Sequence, residues 1–377
     1  MRTRPVHGCS IEMGILHAMP MPPAPACAFA SDNAAGAHPA VLDAIARTNV
    51  GHALAYGDDD ETRACERAFS DLFGRDVTTL LTFNGTGANV MALASLTRFA
   101  EAIVCTDWAH INLDETGAPE RVVGAKLLDL PTPDGKLRPD QIDQQGHLLG
   151  VQHHAQPGVV SITQSTELGT VYTIDEIAEL CDTAHRLGMR VHMDGARIAN
   201  AVAALTSEDG LDAAVRTLRS MTVDAGVDVL SFGGTKNGLV GGEAVVFLNT
   251  DEAARARYVR KSVTQLPSKM RFVAAQFNAV LTDGLWVDLA RHSNRMAAEL
   301  HERTSPIGGI RFDAPPVVNS VFPLLPPAAI EPLREWCFFW DWDPTRHQVR
   351  WMTAWDTSLE DVARFAAGVG EILAMCN

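Results

Sequence analysis

Beyond Phe29 the chain switches repeatedly between two patterns. Short apolar and β-prone runs occupy residues 78–83, 102–105, 125–130, 159–163, 189–193, 227–232 and 243–248. Stretches with helical punctuation lie between them. His38-Pro39 opens one through Ala46, with Pro39 suited to a first helical turn. Residues 60–73 form another, closed by Gly74 as a C′ residue. The turn Asn84-Gly85-Thr86-Gly87 leads into a helix over 88–99. Thr173 and Glu176 make a capping box for a helix over 174–187, which stops at Gly188. Several of the β-prone runs, such as Val245-Val246-Phe247-Leu248, show no polar alternation, so both faces of their sheet must be covered. Strands alternating with helices predict an α/β unit with a mostly parallel sheet.

After Asp251 the rhythm changes. Helical stretches fall at 253–261 and 286–303, strand-like runs at 317–322 and 349–353, and a last helix follows Thr357. This pattern predicts a smaller α+β domain over 251–377, packed on a large domain over 29–250. Residues 1–28 differ from both, with prolines at 20, 22, 23 and 25. Their apolar stretch at 13–16 is too short for a signal-peptide core. They predict a disordered extension, or a start codon set too early, with Met19 or Met21 as the alternative start.

Charge narrows the function classes. Against 31 Lys and Arg stand 46 Asp and Glu, a net charge of −15 over 377 residues. An acidic surface repels phosphate backbones and anionic lipid, so neither nucleic acid nor a membrane surface is an expected partner. No apolar run approaches the ~20 residues that span a bilayer. The seven cysteines are scattered, with no C-x-x-C pair. That pattern argues against a disulfide framework and a structural zinc, and predicts a cytoplasmic protein without a metal site.

Three segments carry candidate chemistry. In His192-Met193-Asp194-Gly195-Ala196-Arg197 a carboxylate directly follows a buried strand, at the sheet edge where α/β proteins bind ligands. Taken alone, Asp194 reads first as a cap of the following helix. Gly233-Gly234-Thr235-Lys236-Asn237-Gly238 places a lysine in a glycine-rich loop after a strand, where burial lowers its pKa and favours Schiff-base formation. A solvated turn lysine is the plain alternative. The spacing of a Walker loop is absent. Phe83-Asn84-Gly85-Thr86-Gly87-Ala88-Asn89 is a strand–turn–helix whose backbone N–H groups suit a phosphate.

In chain order, a phosphate cradle, then an Asp at a strand end, then a Lys preceded by a hydroxyl residue, the three segments resemble the layout of fold-type I pyridoxal phosphate (PLP) enzymes. With Ser31-Asp32-Asn33 and Ala55-Tyr56-Gly57-Asp58-Asp59, the chain resembles the L-threonine aldolases of the β-eliminating-lyase branch, from Phe29 to the C-terminus. The resemblance implies a large PLP domain with a smaller C-terminal domain. It makes Lys236 the Schiff-base lysine and Asp194 the partner of the pyridine nitrogen. Gly85, Thr86 and Thr235 would hold the phosphate, with Arg271 as a further contact. His110 matches a histidine stacked on the ring. Arg197 would lie near the ring oxygen and the substrate carboxylate, Arg350 would bind that carboxylate, and Ser31 would assist. Tyr56 matches a tyrosine that reaches a neighbouring subunit's site, implying a homodimer or homotetramer with shared active sites. Aligned on the strand at 159–163, His153 matches a histidine near the substrate β-hydroxyl and is the expected base, with His154 the fallback.

Two departures concern the substrate side chain. Thr353-Ala354-Trp355-Asp356 stands where many relatives have Thr-His-x-Asp, and Thr166-Glu167 where relatives often have Thr-His. The resemblance implies retro-aldol cleavage of a small β-hydroxy-α-amino acid, L-threonine or L-allo-threonine, to glycine and acetaldehyde. The rivals are PLP-dependent β-elimination, cleavage of β-aryl substrates such as phenylserine, and a non-catalytic PLP-binding regulator. No folate-site motif points to serine hydroxymethyltransferase chemistry.

Overall fold

The computed structural model describes residues 21–248 and 250–376. Its first layer is a seven-stranded sheet of β1 (Thr78–Thr82), β2 (Glu101–Thr106), β3 (Lys126–Leu130), β4 (Gln156–Thr163), β5 (Arg190–Gly195), β6 (Val229–Gly233) and β7 (Glu243–Phe247). The strand order is β1-β7-β6-β5-β4-β2-β3. All neighbours run parallel except β7, which is antiparallel to both β1 and β6. Apart from the edge strand β3, the apolar runs thus become strands buried on both faces, as a parallel sheet requires.

Helices α1 (Pro39–Thr48), α2 (Asp60–Phe73), α3 (Gly85–Leu96), α4 (Ile174–Arg186) and α5 (Ile198–Leu205) surround this sheet, together with α6 (Met270–Leu281) and the start of α7 (Leu285–Thr304). Helix α3 begins at Gly85, three residues earlier than its apolar pattern suggests, because the Asn84 side chain caps it by accepting from Gly87 N–H at 2.8 Å. Helix α6 carries no side-chain cap at its start, so nothing in the sequence punctuates it.

The second layer holds β8 (Arg311–Phe312), β9 (Ser320–Val321), β10 (Pro323–Leu324), β11 (Trp340–Asp343) and β12 (Gln348–Met352), all paired antiparallel. Helices α8 (Pro327–Trp336) and α9 (Leu359–Cys376) and the C-terminal half of α7 cover it. The first core extends through α6 to Trp286 and Ala290, beyond the boundary read at Asp251, and the second begins on α7 with Met296 and Leu300. Residues 1–20 lie outside the described residues. Within 21–28, the Trp336 indole donates to the Pro22 carbonyl at 2.7 Å and Cys27 packs on the second core. Phe29 is fully buried there, and its carbonyl accepts from Met352 N–H at 2.9 Å. This docking carries the N-terminal arm to the sheet edge where the polar residues gather.

Candidate active site

Register builds the floor of the site. Thr163 of β4 lies beside Asp194 of β5, which lies beside Ser231 of β6. Gly233 at the end of β6 pairs with Glu243 at the start of β7. The C-terminal edge of the parallel strands therefore presents these side chains together, below the N-terminus of α3. A cavity of about 380 Å³ opens there, lined among others by Gly85, Thr86, His110, Asp194, Thr235 and Lys236.

Lys236 sits in a single helical turn, Thr235–Asn237, directly after β6. Its amine makes no ion pair among the described residues. Burial, followed by the Arg197 guanidinium, lowers its pKa from the ordinary lysine value. The loop is held in place by Glu243, whose Oε2 accepts from Gly234 N–H at 2.6 Å. Thr235 Oγ1 accepts from Gly242 N–H at 3.1 Å. Burial raises Asp194, but His110, His192, the Ala196 N–H and Lys236 more than offset it, so this carboxyl stays below the usual range. At the α3 N-terminus Asn84 takes Gly87 N–H, leaving Gly85 and Thr86 N–H as the unpaired donors of the first turn.

The two arginines differ in availability. Arg197 Nε and Nη2 grip buried Asp32 of the N-terminal arm at 2.6 and 2.8 Å. Asn319 Nδ2 donates to the same carboxylate at 3.1 Å. Most of the Arg197 fork is thus occupied. Arg350 Nη2 donates to the Ala30 carbonyl at 3.3 Å, Nε is buried without an acceptor, and no carboxylate pairs with it among the described residues. Burial and the neighbouring Arg197 push its pKa down to about 10. Ser31 lies beside this pair, its hydroxyl accepting from Asn33 N–H at 3.2 Å.

His110, partly exposed, heads a hydrogen-bonded chain whose other members are buried. Its Nδ1 lies 2.9 Å from Glu115 Oε1. Asn89 Nδ2 donates to Glu115 Oε1 at 3.0 Å and to Asp194 Oδ2 at 2.7 Å. One amide therefore ties the histidine's carboxylate to the carboxylate on the cavity floor. The Glu115 hydrogen bond raises His110 above its ordinary pKa despite burial. Glu167 accepts from His110 N–H at 2.8 Å and from Thr163 Oγ1 at 2.9 Å. Burial and Asp194 push its carboxyl up to about 7. Behind Asp194, fully buried His192 bridges Ser161 and Ser231 at 2.9 and 3.0 Å, and burial holds it neutral, with a pKa of about 4. Asn89 closes the Phe83–Asn89 segment, but its link to the two carboxylates gave no signal there, and Glu115 and Glu243 lie outside the motifs, since only folding joins these side chains.

Four expected residues are not brought to this cavity within the chain. His153 and His154 are exposed in the loop before β4, at the opposite sheet edge from Asp194. The 8 residues of β4 separate them from the site, a span of roughly 26 Å. The register match across that loop misplaced the expected base. Arg271 donates to the Val50 and Gly51 carbonyls at 3.1 and 3.5 Å and lines a different hollow beside α1 and α6. Tyr56 is half exposed, with Lys261 Nζ 5.3 Å from its ring centre.

The beta-eliminating lyase family model matches residues 28–325. The chain belongs to the beta-eliminating lyase family. This lyase is 42% identical over 344 residues to the low specificity L-threonine aldolase of Pseudomonas aeruginosa, covering 90% of this chain and 96% of that one. It is 39% identical over 349 residues to the low specificity L-threonine aldolase of a Pseudomonas sp., covering 92% and 98%. Among solved structures it resembles Leishmania major threonine aldolase, with a TM-score of 0.83 and 31% identity over 92% of this chain and 99% of that one. Sphingomonas wittichii serine palmitoyltransferase shares the fold, at a TM-score of 0.68 and 14% identity.

The lyase cavity fits PLP. It offers an unpaired, deprotonation-prone lysine, an ionised buried carboxylate and the free N–H groups of a helix start. Those are the needs of an aldehyde, a pyridinium and a phosphate dianion.

Proposed function

We propose that this protein is a PLP-dependent aldolase that cleaves L-threonine and L-allo-threonine to glycine and acetaldehyde. The observation that carries the reading is the meeting of Lys236 and Asp194 at one strand edge, with Arg350 of the second sheet beside Arg197 and paired with no carboxylate among the described residues, in a chain that matches named threonine aldolases over nine-tenths of its length.

Lys236 would bind the cofactor aldehyde, its burial favouring the neutral, nucleophilic amine. Asp194 would keep a proton on the pyridine nitrogen, and Gly85, Thr86 and Thr235 would hold the phosphate. Bound PLP supplies the sink for the electron pair released as Cα–Cβ breaks. Arg350 would grip the amino-acid carboxylate through its planar fork, with Ser31 beside it. His110 takes the place of His153 as the expected base. Its Nδ1–H on Glu115 leaves Nε2 bare to accept the β-hydroxyl proton. Tyr56, half exposed and not among the residues lining its own cavity, would complete a neighbouring subunit's site in a homodimer or homotetramer. The six described cysteines are all free thiols, which suits a reducing cytoplasm. No helix among the described residues is long and apolar enough to cross a membrane.

The test is a substrate panel on PLP-loaded protein with product identification. Glycine and acetaldehyde from threonine support the reading. Ammonia and a 2-oxo acid would replace it with β-elimination, and preferential release of benzaldehyde from phenylserine would move the substrate class. A colourless protein that retains no PLP would favour the non-catalytic rival.

A further inference from the structure

Among the described residues, no acid holds Arg350 in place. Its guanidinium carbon lies 4.7 Å from the centre of the Trp342 ring, within the range of an attractive cation–π contact. Trp342 is itself braced. Trp108 stacks with it at 6.4 Å and 15°, and Phe322 leans on it at 5.4 Å. Trp108 lies two residues before His110, between β2 and the turn that carries the histidine, whereas Trp342 and Arg350 come from the second sheet.

Local geometry explains how Trp342 reaches this position. Strands β11 and β12 pair Trp340 with Arg350 and Asp341 with Val349, then Asp343 with Gln348. Trp342 falls at the break in that ladder, a bulge that leaves it without a partner. Bulges bend the strand and re-aim the side chain. The Trp342 indole N–H and Arg350 Nε are both buried donors without an acceptor. Two such donors on touching side chains mark a place short of an anion. Burial beside a second guanidinium would otherwise penalise Arg350, as its lowered pKa records.

We infer that Trp342 is a positioning residue, whose stacked ring holds the Arg350 fork ready for the substrate carboxylate and ties it through Trp108 to the segment bearing His110. This rests on the reading of Arg350 as the carboxylate clamp. The ring replaces the acid that usually fixes an arginine, and so leaves the positive charge uncancelled for the incoming substrate.

The experiment uses the PLP-loaded enzyme and glycine as probe, following the cofactor's visible spectrum to obtain Kd, with threonine kinetics alongside. Trp342→Leu keeps an apolar side chain but removes the ring. It should weaken glycine binding about 3- to 30-fold and raise KM for threonine similarly, with kcat little changed and PLP content intact. Trp342→Phe keeps a stacking surface and should recover most of the affinity. Unchanged Kd in Trp342→Leu would overturn the inference, as would Trp342→Phe losing as much as Trp342→Leu, or kcat falling with PLP lost. Arg350→Lys separates the two layers. If it leaves glycine affinity unchanged, the clamp reading itself fails. If it weakens glycine while Trp342→Leu does not, only the role of Trp342 falls.

Discussion

A neutral His110 can accept a proton, and its carboxylate partner decides at what pH it is neutral. Glu115 raises the histidine's pKa, so the working base form grows as pH rises through that value. Glu115→Gln removes the raising charge. The acid limb of the kcat/KM profile should therefore move to lower pH, which a pH–rate series would show. A limb that stays in place would remove Glu115 from control of the base. His110→Phe should lower threonine cleavage by about 10²- to 10⁴-fold, the usual span for a general base. His153→Phe, altering an exposed loop, should leave cleavage near wild type. Lys236 and Asp194 were legible in the sequence because each follows a strand directly, so the strand fixes where the side chain emerges. His153 was not, because a loop separates it from its strand and one slip of register changes its place. The Asn89 bridge was invisible for a different reason. Its partners Glu115 and Asp194 are 26 and 105 residues away and meet it only through packing.

Among the elements, the junction of β5 and β6 decides whether the lysine loop reaches the cavity. A Cβ on Gly233 would overlap the Ala196 carbonyl, and that backbone cannot move without shifting the strand end that bears Asp194. Gly233→Ala should cost about 1–3 kcal/mol of stability by overpacking and reduce PLP occupancy. Thermal melts of apoprotein and the ratio of bound cofactor to protein would check both. Unchanged occupancy would mean that the loop tolerates a displaced β6. Most strands of the large sheet were legible because burial on both faces makes them predominantly apolar, short and bounded by helical stretches. The second sheet was largely illegible. Its β8, β9 and β10 are two residues each, and α8 carries Pro332 inside the helix, so neither period persists long enough to register.

At the scale of the whole molecule, the chain's own N-terminal arm docks beside the cavity, and in the proposed oligomer a neighbour would close it further. Tyr56 and Leu54 are exposed on the loop beside α1, with Val50 close by. If Tyr56 serves a neighbouring site, Tyr56→Phe and Lys236→Ala should each be impaired alone. Mixed after co-refolding, they should regain activity, because one site of a hybrid dimer then holds both native residues. Hybrids that remain inactive would place Tyr56 outside the shared site. The central claim is that a Cα–Cβ bond breaks and a proton replaces the lost carbon. Its most direct measurement is threonine turnover by the PLP-loaded protein in D₂O, with the products identified by mass. The account predicts glycine carrying a solvent deuterium at Cα and an equal amount of acetaldehyde. Ammonia with a 2-oxo acid, or threonine returned without cleavage, would contradict it.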